Sequence, residues 1–151
     1  IFRYPILMGV VASLFLGGCN DEQDLAEISP SAGGDGAKAR LTLVVRDFTY
    51  EFTEGRHRYT HVREFIETAG VAATITRGRV CVEQGETCVD GLVTYNVPAG
   101  GSFVQEGHYI ATKAPADSIT MEYWATDSSG NTHELNTSLQ TKMEEVLQDH
   151  R

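Results

Sequence analysis

Apolar and polar residues alternate in short runs along most of this chain, with the two-residue period of β-strands and not the helical period of about 3.6. The clearest run is residues 119–126, where Ile119, Met121, Tyr123 and Ala125 share one face and Thr120, Glu122, Trp124 and Thr126 the other. Asp127-Ser128-Ser129-Gly130-Asn131 follows, built from residues that accept tight backbone angles, and His133, Leu135, Thr137 and Leu139 resume the alternation as a partner strand. Nearer the start, Leu41, Leu43 and Val45 hold one parity while Phe48, Tyr50 and Phe52 hold the other. A strand cannot exchange faces without an extra residue, so a bulge or bend is expected at Arg46-Asp47, where the strand has the means to pass from one sheet to another. Val71, Ala73 and Ile75 share a face, and Val80 and Val82 take the opposite parity beyond Gly78, which reads as a second bulge. Val93, Tyr95 and Val97 make a strand that Pro98-Ala99-Gly100-Gly101 ends.

Other stretches are less clear-cut. Glu54-Gly55-Arg56-His57-Arg58 reads as a polar turn, and residues 62–68 fit either a short strand or one helical turn. Residues 103–105 and 108–112 read as a hairpin around Glu106-Gly107, and Met143, Val146 and Leu147 in the charged tail, residues 142–151, have the spacing of a short terminal helix. Short strands at intervals of about ten residues, with turn signals between them and no long helical period, predict an all-β domain over residues 40–141, a sandwich or barrel of about seven to nine strands.

The first forty residues have a different character. An apolar run, residues 5–16, follows the single basic Arg3, in the layout of a secretory signal; it is shorter than the roughly 20 residues that cross a bilayer. Residues 20–39 are acidic and then rich in Ser, Pro and Gly, with almost nothing to bury, so residues 19–39 read as a disordered tether of about 25 Å root-mean-square span. At the join, Leu16-Gly17-Gly18-Cys19 resembles the lipobox of bacterial lipoproteins. That resemblance implies lipidation of the Cys19 sulfur, removal of residues 1–18, and attachment to a membrane of the bacterial cell envelope through the lipid. Two or three acyl chains hold a protein firmly where one does not. Asn20, standing where an aspartate favours retention on the inner membrane of enteric bacteria, implies the outer membrane, although Asp21 follows it.

The formal net charge of -9 argues against nucleic acid as a partner and against electrostatic adhesion to anionic lipid. With Cys19 taken by the anchor, Cys81 and Cys88 remain as an even pair in an exported chain and read as a disulfide closing a short loop. A metal site there fails on ligand count, and no cofactor is indicated. His57 and His61 stand four apart, a helical metal spacing, but lie in the basic, loop-like RHRYTH and read as solvated turn residues.

A second resemblance rests on Ala125-Thr126-Asp127-Ser128-Ser129-Gly130-Asn131-Thr132 after the strand carrying Tyr123, which is similar to the last hairpin of bacterial immunoglobulin-like and cadherin-like domains. It implies an immunoglobulin-like sandwich. Cys81 and Cys88 are too near in sequence to be the inter-sheet pair of antibody-type members, and Asp127 and Asn131 match only as turn residues, so calcium is not carried over.

Nucleophile motifs are missing. There is no Gly-x-Ser-x-Gly, and the pairing of Ser102 with His108 sits in an ordinary hairpin. Two surfaces remain as binding candidates: Trp124, on the polar face of the best strand, and the Cys81–Cys88 loop with Glu83 and Glu86. The expectation is a non-catalytic envelope lipoprotein presenting a protein-interaction or accessory structural surface. A carbohydrate- or peptidoglycan-binding lipoprotein using exposed aromatics comes second, and an inhibitor of a secreted hydrolase third.

Overall fold

The computed structural model describes residues 36–149; the signal-like run, the lipobox-like residues with Cys19 and most of the residues read as a tether lie outside the described residues. The alternating runs form eight strands: β1 (Leu41–Thr53), β2 (Arg56–Glu67), β3 (Ala73–Val82), β4 (Thr87–Val97), β5 (Ser102–Thr112), β6 (Ala116–Asp127), β7 (Thr132–Lys142) and β8 (Glu145–Asp149). They make two antiparallel sheets, one ordered β1-β2-β5 and the other β4-β3-β6-β7-β8, facing each other as a sandwich. The inward parity of each strand fills the space between them: Leu43, Val45, Tyr59, Phe65, Ile75, Ile119, Met121, Tyr123 and Leu139 form one core. Phe65 and Tyr123 meet edge to face across it, ring centres 4.9 Å apart, the arrangement that aromatic quadrupoles favour.

The phase change in β1 is a bulge at the expected place. Asp47 and Phe48 together oppose His61, with Asp47 at φ +57°. β1 does not change sheets, however; it pairs with β2 on both sides of the bulge, and the inserted residue turns Phe48 and Tyr50 onto the core that Leu43 and Val45 already face. The domain also begins earlier than residue 40, since Ala37 and Ala39 pack against Val71 and Ala73.

Four local expectations are corrected. Only Glu54 and Gly55, both at positive φ, form the turn between β1 and β2, so His57, Arg58 and His61 belong to a strand and residues 62–68 carry no helical turn. Residues 102–112 are one strand and not a hairpin: Glu106 and Gly107 oppose the single Val62 in a bulge, and Gly107 takes the positive φ that either structure would ask of a glycine. The irregularity in β3 lies at Thr76, between the paired positions Ile75 and Arg77. Gly78 serves close approach instead, because a Cβ there would stand 2.7 Å from the Tyr123 ring. Replacing Gly78 by alanine is expected to cost about 1–3 kcal/mol in urea unfolding, since the Tyr123 ring, buried and bonded to Arg63, must shift to admit the methyl group.

The tail is the fourth correction. It folds as β8, turned by Met143-Glu144 and paired with β7, and no terminal helix forms over residues 142–149. Gln148 explains the choice. Its side-chain amide reaches the edge of the other sheet, accepting from Val45 N at 3.1 Å, donating to Leu43 O at 3.4 Å, and also donating to Thr137 Oγ1 at 2.9 Å. A side-chain amide thereby takes the place of a ladder partner and closes one side of the sandwich. The opposite side, between β4 and β5, is bridged near their turn by the Tyr95 ring stacked on Phe103, centres 5.0 Å apart, and is open beyond that pair.

Candidate functional site

The open side is where polar groups appear on a face that position alone would make apolar. Tyr59, His61, Arg63, Phe65 and Glu67 alternate along β2, and all five point into the sandwich and are buried. Burying a polar group costs free energy unless it is partnered. Glu67 is fully provided for. Its carboxylate accepts from the backbone nitrogens of Arg40, Ala69, Gly70, Val71 and Gly100 at 2.7–3.1 Å. Burial alone would raise its pKa; the backbone donors outweigh that and hold it down from 4.5 to about 2.

His61 and Arg63 are not provided for in that way. Arg63, 8% exposed, donates through Nη1 to the Tyr123 hydroxyl, while its buried Nε has no partner among the described residues. His61, 2% exposed, lies with Nδ1 3.1 Å from the Tyr59 carbonyl, and its buried Nε2 likewise has no partner among the described residues. A carbonyl can only accept, so in the neutral ring Nδ1 carries the proton and Nε2 is a bare acceptor. Burial is the main cause that pulls His61 from 6.5 to about 4; the Tyr59 bond opposes it, and the neighbouring Arg63 and His108 reinforce it. Burial, then Arg63, also lower His108.

These groups form one wall of a cleft of about 560 Å³ between β4 and β5. That volume falls within the range of small-molecule sites. Its floor is the inner face of the larger sheet: Val80, Val89, Val93, Tyr95 and Tyr123, with Gly78 and Gly91 side by side in register. Val89 pairs with Val80 on the inward face yet is 70% exposed, because no strand covers it. Arg56, His108 and Ile110 are among the other lining residues, and no acidic side chain contributes among the described residues, in a chain whose net charge is -9.

The residues singled out from the sequence lie elsewhere. Trp124 is half-buried on the outer face of the larger sheet, covered neither by the tail nor by the other sheet. The Arg77 guanidinium lies 4.5 Å from its ring centre. Cys81 and Cys88 are disulfide-bonded at paired positions of β3 and β4. The turn they close, Glu83–Gly85, is fastened down: the Asp117 carboxylate accepts from the Glu83 and Gln84 nitrogens at 2.7 and 2.9 Å. Glu83 itself accepts from Thr87 Oγ1 at 2.7 Å, and of the two acids Glu86 is the exposed one. Ser102 pairs with Ile66 and His108 with His61, placing a bulge between the two residues of the weighed catalytic pair. The Asp127 carboxylate is consumed by Ala39 N, Ser129 N, Asn131 and His133 Nε2. Among the described residues no group of three or more His, Cys, Asp or Glu is placed to hold a metal ion. His61 and Arg63 were missed as site residues although their signal was in the sequence: they share the parity of Tyr59 and Phe65.

No protein-family model matches the chain, and no curated protein matches it. Solved structures similar in shape include two all-β proteins. One is the protein provisionally designated ApaA from Bordetella pertussis, 17% identical over 70% of this chain and 94% of that one, with a TM-score of 0.58. The other is the Northeast Structural Genomics Consortium target SoR45, 11% identical over 76% of this chain and 86% of that one, with a TM-score of 0.53. At these identities the likeness is one of fold: this chain carries an all-β sandwich of two antiparallel sheets, as its neighbours in structure do.

Proposed function

We propose that the chain is a non-catalytic binding lipoprotein of the bacterial cell envelope, anchored through Cys19, whose immunoglobulin-like sandwich receives its partner in the open side between β4 and β5. The observation that carries this reading is Val89, on the inward face of a sheet and 70% exposed. An apolar residue on a core face with nothing above it marks a surface that something else covers. The lipobox-like Leu16-Gly17-Gly18-Cys19, the disulfide and the tether-like residues 19–39 support export and attachment. The glycan reading rests on Trp124 and is weaker, because Arg77 already lies over that ring.

A photo-crosslinking residue placed at Val89 in the full chain in cells is expected to capture a component of the envelope. The same residue at Thr49, exposed on the outer face of the other sheet, is expected to capture nothing specific. Equal capture at both positions, or none at Val89, would put the working surface somewhere other than the cleft.

A further inference from the structure

The walls of the cleft say more than that something enters. Five apolar side chains, Val80, Val82, Val89, Val93 and Ile110, call for an apolar body. Arg63, buried with an unpartnered Nε and no carboxylate lining the cleft, calls for an anion. A buried guanidinium is costly without a countercharge and makes strong, planar hydrogen bonds with an oxyanion. Gly91 opens the floor; a Cβ built there meets nothing within 4 Å.

We propose that the β4–β5 cleft binds an amphipathic monocarboxylate, its apolar chain lying along the valine floor and its carboxylate on the Arg63 guanidinium. The inference rests on the cleft being the binding site, as argued above, and adds the chemical class of the ligand. A single negative charge is favoured over two. His61 stays neutral near pH 7, since burial holds its pKa to about 4, and burial lowers His108 too, so among the described residues Arg63 is the one fixed positive charge inside the cleft; Arg56 stands at the exposed rim. A dianionic head would leave a charge without a counterpart in an apolar enclosure. Specificity then comes from two separate parts, a charge that rejects alcohols and a floor that rejects short acids.

Equilibrium dialysis of the purified full chain at pH 7.5 tests this with four probes: decanoate, decan-1-ol, acetate and decyl phosphate. Decanoate is expected to bind at least tenfold more tightly than each of the others. Arg63→Met is expected to weaken decanoate at least tenfold and leave decan-1-ol unchanged. Gly91→Leu fills open space at a position of ordinary φ, keeps the charge, and is expected to weaken both decanoate and decan-1-ol. Should Arg63→Met lose its near-ultraviolet dichroism, the Gly91→Leu result and the four-probe ranking decide alone. Equal binding of decanoate and decan-1-ol would overturn the proposal while leaving the cleft as a binding site. Preference for decyl phosphate would overturn the single charge. Failure of all four probes would overturn the ligand class, and capture at Val89 in cells would still stand or fall separately.

Discussion

Replacing Glu67 by glutamine is expected to destabilise the domain by about 4 kcal/mol in urea unfolding at pH 7, a large part of the roughly 5–15 kcal/mol that holds a small domain together. Five backbone N–H groups converge on this one carboxylate, two on Oε1 and three on Oε2. They come from the start of β1, the β2–β3 connection and the turn between β4 and β5, so a single side chain at the end of β2 ties three segments of separate origin. An amide keeps the shape but presents N–H₂ where a carboxylate oxygen stood. At least two backbone donors then face a donor, and each unsatisfied buried donor costs about 1–3 kcal/mol. Glu64→Gln, three residues earlier on the same strand, makes the contrast. Glu64 points outward and meets only the exposed Arg46 at 3.3 Å, so its change is expected to stay within about 0.5 kcal/mol. A loss below about 1 kcal/mol for Glu67→Gln would mean that water replaces the carboxylate among these loops.

The contrast also marks what a sequence can carry. Period-two patterning names the faces of β6 and β7 residue by residue, because the apolar inward positions there alternate without interruption. The phase change at Arg46-Asp47 is legible for the same reason. Where the deciding partner is remote, pattern reading fails. β8 rather than a helix follows from Gln148 bonding to β1, about a hundred residues away in the chain. The role of Asp127 follows from Ala39, 88 residues distant, and the role of Glu67 from loops up to 33 residues away. Glu106-Gly107 suits a hairpin and a bulge equally, and only the register against β2 separates them. The candidate site was half legible. The parity of Tyr59 and Phe65 places His61 and Arg63 inward, but that β4 and β5 leave their side of the sandwich uncovered is a property of the two-sheet topology. Parity puts Trp124 on the polar face of its strand, while whether that face is covered, and Arg77 over its ring, depend on the sheet packing and the β3–β6 register.

Acid is expected to weaken the fold in two separate windows, and the sign follows from which form each buried group prefers. His61 has its pKa depressed, from 6.5 to about 4, first by burial and then by Arg63 and His108. The folded state therefore favours the neutral ring. Its contribution is complete above about pH 6.5 and is lost as pH falls through about 4. Glu67 is depressed from 4.5 to about 2, the backbone donors overcoming the effect of burial. Asp127 is depressed as well: burial opposes, but His133, the Ala39 nitrogen and Asn131 prevail. Those two carboxylates stabilise fully above about pH 4.5 and lose their contribution as pH falls toward 2. Urea midpoints measured from pH 8 to 2.5 should thus be flat down to about 6.5, decline gently to about 4.5 and drop steeply below. His61→Phe should remove most of the gentle decline, the similarly lowered His108 keeping a share of it, and leave the steep one; Glu67→Gln should reduce the steep one and leave the gentle one. A wild-type midpoint unchanged between pH 6.5 and 4.5 would show that the ring accepts a proton inside the sandwich without cost. Arg63, with Arg56 at the rim, would then be joined in mild acid by a second positive charge inside the cleft, and the preference for a singly charged ligand would weaken with it.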